Sequence, residues 1–159
     1  MRVQKTPDKN GNQKITPRPA IDIDILEQLR GMLGRDTPQM MAGLIENYLE
    51  NTPRLLENLR QSIEQEQGQE QVELACTLKS NSITFGAIRL CALCEELATS
   101  KSPDNPIAKL NQIESEFERV RLVLEAEWHR LYEIRLKTDV FFPTGSYKNI
   151  GFYPQSPKR

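Results

Sequence analysis

Apolar side chains recur at a spacing close to 3.6 residues along most of this 159-residue chain. The longest run consists of Met41, Leu44, Ile45, Tyr48, Leu49, Leu55, Leu56, Leu59 and Ile63. Such spacing places side chains on one face of an α-helix. Within residues 21–137 no strand pattern competes with this helical one. The sequence therefore predicts an all-α fold.

Glycine and proline divide this helical pattern into four predicted helices. We expect them near residues 21–34, 36–68, 70–100 and 106–137. Pro53 falls inside the second helix, where the apolar spacing continues on both sides, and Gly86 falls inside the third. Short connections between long amphipathic helices favour antiparallel packing. The sequence thus predicts one antiparallel up-and-down helical bundle.

The segments on either side of the bundle differ from it in composition. Residues 1–20 are rich in Pro, Lys, Asn and Gly and are expected to form a flexible arm. Residues 138–159 lack helical spacing and contain half of the aromatic residues, Phe141, Phe142, Tyr147, Phe152 and Tyr153. We expect this C-terminal extension to pack on the bundle or to bind a partner, including a second copy of the chain. The predicted domain is therefore residues 21–137, between these two segments.

Charge and hydropathy exclude several classes of partner. The chain carries 21 basic and 22 acidic residues, interspersed, so we expect no nucleic-acid or anionic-membrane binding. No apolar run approaches the roughly 20 residues that cross a bilayer, and the N-terminus lacks a signal-peptide pattern. The expected location is the cytoplasm.

Three cysteines, Cys76, Cys91 and Cys94, fall in the predicted third helix. An odd number in a cytoplasmic chain favours reduced thiols. Cys91 and Cys94 form a C-x-x-C pair, but a structural zinc site needs four ligands, and the one histidine, His129, is distant in sequence. We therefore interpret these two as core residues and expect neither a metal nor a cofactor.

Two segments resemble the histidine-containing phosphotransfer (HPt) domain family. They are "LIENYLENTPRLLENL" in the second predicted helix and "ACTLKSNSITFGAIRLCALCEEL" in the third. The second is similar to the family's signature helix, with matches at Ala75, Leu78, Lys79, Ser82, Gly86 and Ala87. The resemblance covers roughly residues 22–127 and implies a bundle of HPt type.

One position departs from the family pattern. In an HPt domain the signature histidine accepts a phosphoryl group from an aspartyl phosphate on a receiver domain, with a lysine and a small residue beside it. Here Cys76 replaces that histidine, while Lys79 and Ser80 remain at i+3 and i+4, on the same helix face. The resemblance therefore implies a receiver domain or a histidine kinase as partner, and a lost acceptor.

Other roles for these residues remain open at this point. Cys76 is a candidate thiol phosphoacceptor or redox sensor, although thiolates need a helix N-terminus or several cations. His129 is a candidate substitute acceptor, or a surface residue near a helix C-terminus. Lys79 is either a contact residue or a solvated lysine, and a small rotation of the helix would bury Ile83.

The sequence favours a pseudo-HPt signalling module that binds a receiver domain without histidine phosphotransfer, and it predicts no enzyme activity. The predicted binding surface consists of Cys76, Lys79, Ser80 and Ile83, with exposed residues of the second helix beside it. The alternatives are an active phosphorelay protein with an unorthodox acceptor, and a helical assembly or scaffold protein.

Overall fold

The computed structural model of the chain describes residues 18–99 and 105–138. It contains five α-helices, α1 (Ile23–Leu33), α2 (Thr37–Glu64), α3 (Gly68–Ile83), α4 (Ile88–Thr99) and α5 (Pro106–Thr138), and a 3₁₀ turn, Gly34–Asp36, between the first two. These two ranges contain no strand. The predicted all-α bundle is confirmed, and α2 continues through Pro53. The predictions for residues 1–17 and 139–159 lie outside the described residues.

The bundle is built from α2, α3, α4 and α5, and α1 packs against α2. Both α2 and α4 pack against α3 and against α5, so α3 and α5 lie diagonally opposite each other. The apolar residues with the predicted spacing fill the centre, where the largest fully buried side chains include Met41, Ile45, Leu59, Leu78, Leu90, Leu110, Ile113 and Leu124. Burial of this shared apolar face is the main stabilising term of such a fold.

The prediction of a single third helix is wrong, because the chain turns between α3 and α4. Gly86 adopts φ +76°, in the left-handed region that interrupts a helix. Its carbonyl accepts a hydrogen bond of 2.8 Å from the backbone N–H of Asp22, which joins the turn to the start of α1. Phe85 and Ala87 are buried on either side of Gly86. Apolar residues therefore continue through the turn, which is why the sequence resembled one continuous helix.

Two boundaries also differ from the prediction. Ala20, placed in the N-terminal arm, is buried, and the carbonyl of Arg18 accepts a hydrogen bond from Arg119 on α5. The packed chain therefore begins before residue 21. Gly68, predicted to end the second helix, is the first residue of α3, and the residue with positive φ in that connection is Glu66.

A buried carboxyl links α2 to α5. The indole Nε1–H of Trp128 donates a hydrogen bond of 2.7 Å to Glu46 Oε1, and both residues are buried. Desolvation raises the pKa of Glu46 above its ordinary value of 4.5 and is reinforced by Glu50, while the Trp128 bond and Arg135 lower it. A carboxyl with a raised folded pKa stabilises the fold below its ordinary pKa and loses that contribution as pH rises through the folded value.

Glu46→Gln is therefore expected to raise the free energy of unfolding relative to the wild type as pH increases above about 4.5. The glutamine carbonyl accepts the same Trp128 bond without a charge that must be desolvated. Urea unfolding of both proteins between pH 4 and 8 measures this difference. Glu46→Ala is the control, and losing the acceptor should lower the free energy of unfolding by about 1 to 3 kcal/mol. A wild-type stability that rose relative to Glu46→Gln with pH would contradict the prediction.

Candidate functional site

Cys76 lies near the middle of α3 with its side chain exposed to solvent. The opposite face of α3 buries Ala75, Leu78 and Ser82 in the bundle. Ile83 is also exposed, at 46% of its surface, so the alternative that it belongs to the core is wrong. The structure therefore places Cys76 and Ile83 on the outer face of the signature helix, as the sequence predicted.

Val72 extends this outer face by one turn. It is 40% exposed and precedes Cys76 by four residues, so the two side chains are neighbours on the helix surface. Val72 is therefore an apolar residue of α3 that does not belong to the bundle core. Val72, Cys76 and Ile83 together form an apolar strip, which we name the α3 strip.

Lys79 lies beside this strip, at its border with α4. Its Nζ is 3.3 Å from Glu95 Oε2, and its backbone carbonyl accepts a hydrogen bond of 3.4 Å from Cys91 Sγ. Both partners belong to α4. The helix α2 also packs against α3, and the contribution of its exposed residues to the surface stays a prediction. The prediction of one unbroken third helix kept Glu95 far from Lys79, so this partner was missed. A glycine in the middle of an apolar pattern was the available signal.

Ser80 is exposed, but its hydroxyl is already engaged. Its Oγ donates a hydrogen bond of 2.9 Å to the backbone carbonyl of Cys76. This is the local back-bonding common for serine inside helices. Ser80 therefore adds a small side chain beside Cys76, and its hydroxyl is directed to the helix backbone.

Cys91 and Cys94 are buried in α4, which confirms their interpretation as core residues but places them on a different helix from Cys76. Burial raises the pKa of Cys91 to about 11 and that of Cys94 to about 12. Both thiols therefore stay protonated at neutral pH, which disfavours nucleophilic or redox chemistry. Over the described ranges, no cluster of three or more His, Cys, Asp or Glu side chains could hold a metal ion.

His129 is exposed on α5, where its ring packs edge-on against Trp128 with 5.2 Å between ring centroids. Since α5 is diagonal to α3, this imidazole lies on a different side of the bundle from Cys76. It is the chain's one histidine. The structure therefore does not bring His129 to the predicted surface.

Comparisons with known proteins identify the family to which this helical bundle belongs. The Hpt domain family matches residues 43–126, which include α3, α4 and the turn at Gly86. The chain therefore belongs to the Hpt domain family, whose members are phosphotransfer proteins of two-component signalling. The residues that match the family include all of α3, with its exposed face, but none of α1.

A solved structure shares the fold. The chain is 23% identical to histidine-containing phosphotransfer protein B (HptB) from Pseudomonas aeruginosa PAO1, with a TM-score of 0.62. The match covers 72% of this chain and 98% of HptB. No curated protein sequence gave a significant match. None of the helices in residues 18–99 and 105–138 is both long and apolar enough to cross a membrane.

Proposed function

We propose that this chain is a pseudo-HPt module that binds a receiver domain of a two-component system without carrying the phosphoryl group on histidine. The observation that carries the proposal is the exposed Cys76 at the position where the family resemblance places the acceptor histidine. His129 lies on the diagonal helix and does not replace it. As an adaptor or competitor, such a module has no enzyme activity.

The surroundings of Cys76 do not favour a thiol acceptor. Reactive thiols lie at helix N-termini or beside unpaired cations, which stabilise the thiolate and the transferred anion. Cys76 lies more than two turns inside α3, and the cation nearest to it along the helix, Lys79, is paired with Glu95. We therefore propose that the phosphotransfer chemistry was lost and that the surface remained.

The same face is suited to binding. Its apolar part, the α3 strip, provides surface that a partner can bury, and the Lys79–Glu95 pair supplies a polar rim. Protein interfaces commonly have this arrangement of an apolar centre and a polar edge. Because Glu95 already neutralises Lys79, the lysine needs no phosphoryl group to balance its charge. Receiver binding therefore does not require an imidazole at position 76. We propose that this binding takes place in the cytoplasm.

Titration of the purified chain with a panel of receiver domains tests the binding part of the proposal. We expect at least one receiver to bind and Cys76→Ala to retain binding, because alanine keeps an apolar side chain at this position of the α3 strip and removes the thiol. A complex that forms only through residues 139–159, with the α3 strip still accessible, would instead support the assembly-protein alternative. Binding that disappears in Cys76→Ala would show that the thiol itself is required.

Cys76→His restores the family residue on the exposed face. The free energy of unfolding should change by no more than about 0.5 kcal/mol, because the side chain is solvated and leaves no cavity. Urea unfolding beside the wild type and Cys76→Ala measures this. A larger loss in both variants would mean that position 76 contributes packing that its exposure does not indicate.

A further inference from the structure

Three exposed apolar side chains from three helices lie at one end of the bundle. Met32 is in the last turn of α1, Met40 in the first turn of α2 and Leu136 in the last turn of α5, with 77%, 50% and 54% of their surfaces exposed. Single exposed apolar residues are common, but three at the same end of a bundle need an explanation. We name this group the open end.

Contacts elsewhere in the bundle show that these residues share one end. Glu46 and Trp128 are hydrogen-bonded across antiparallel α2 and α5, and Arg60 and Glu114 are paired nearer the other end. Leu136 follows Trp128 by eight residues, and Pro38 precedes Glu46 by eight residues. Because α2 and α5 are antiparallel, Leu136 lies at the same height along the bundle as the first turn of α2. The turn Gly34–Asp36 holds the last turn of α1 beside that same first turn.

We propose that the C-terminal segment 139–159 of the same chain binds the open end. The described part of α5 ends at Thr138, two residues beyond Leu136, so the segment starts at this end of the bundle. Phe141 and Phe142 follow within about 13 Å of Thr138 at roughly 3.3 Å per residue. Neighbouring helix axes are about 8 to 10 Å apart, so both rings can reach the first turn of α2.

The chemistry of the two surfaces is complementary. The open end presents two methionines, whose flexible thioethers make favourable contacts with aromatic rings. Five aromatic residues follow in the attached segment. A short tether gives an effective concentration in the millimolar range, which favours docking within one chain over association between chains. The open end is separate from the α3 strip, so this inference does not depend on receiver binding.

Limited chymotrypsin digestion of the full-length protein tests the docking. A docked segment is cleaved only when it opens, so cleavage after Phe141 in the wild type should be at least about tenfold slower than in Met32→Gln/Met40→Gln. Leu122→Gln/Val123→Gln is the matched control, because these exposed residues lie in the middle of α5. The control should cleave at the wild-type rate, with the same helical circular dichroism in all three proteins.

Two results would overturn the proposal. Equal cleavage rates in the wild type and in Met32→Gln/Met40→Gln would mean that the segment does not bind the open end. Protection that appears only as protein concentration rises, together with a dimer mass on size-exclusion chromatography, would identify a second copy as the occupant. Concentration-independent protection of a monomer, lost in the methionine variant and kept in the control, is the result that supports it.

Discussion

Gly86→Ala is expected to lower the free energy of unfolding by about 2 to 5 kcal/mol, combining a left-handed backbone penalty with a steric clash. Gly86 has φ +76°, where a Cβ is disfavoured. A Cβ at this position would lie 2.8 Å from the carbonyl oxygen of Asp22 and 3.0 Å from Ile25 Cβ. The carbonyl belongs to the backbone that anchors α1, so relief of the clash would move α1 away from the turn.

Gly31→Ala is the matched control for this prediction. Gly31 lies inside α1, and a Cβ there meets no atom within 4 Å. The alanine should raise the free energy of unfolding by about 0.5 to 1 kcal/mol through helix propensity. Urea denaturation of both variants measures the contrast. Equal stability of Gly86→Ala and the wild type would contradict the description of the turn between α3 and α4.

Ile83→Asp is expected to weaken receiver binding at least about tenfold, because a charge at a buried apolar contact must be desolvated without a partner. Ile83 is 46% exposed, so the bundle should remain folded. The acidic residue near the helix C-terminus should cost no more than about 1 kcal/mol of stability. Isothermal titration with the receiver that binds the wild type measures the loss.

Leu122→Asp is the control that separates the loss of a contact at the α3 strip from a general effect of the added charge. Leu122 is 61% exposed and lies on α5, diagonally opposite α3. This variant adds the same charge to a comparable apolar surface and should bind the receiver with wild-type affinity. An equal loss in both variants would show that net charge, not contact at the α3 strip, controls binding.

The helical architecture was predictable because the signal for it is local. Spacing near 3.6 residues identified the bundle and its buried face, and Cys91 and Cys94 followed from the same pattern. The exposure of Cys76 follows the same helical spacing, whereas for Ile83 the sequence left a core position open and the structure decides for exposure.

The features that the sequence did not reveal depend on tertiary contact. The left-handed turn at Gly86 is fixed by its hydrogen bond with Asp22, a residue far away in sequence. Missing that turn also concealed the Lys79–Glu95 pair, because two residues on one straight helix at that separation do not meet. Ala20 is buried only because the chain before α1 packs on the bundle, where Arg119 holds the carbonyl of Arg18.

Incubation with a receiver domain phosphorylated with radiolabelled phosphate tests the proposed loss of phosphotransfer most directly. The wild type, Cys76→Ala and His129→Ala should bind the receiver and acquire no label. Cys76→His should acquire acid-labile, base-stable label, since it restores the family's acceptor on the exposed face of α3 beside the small side chain of Ser80. Label on the wild-type chain that disappears in Cys76→Ala or in His129→Ala would contradict the proposal and identify the acceptor.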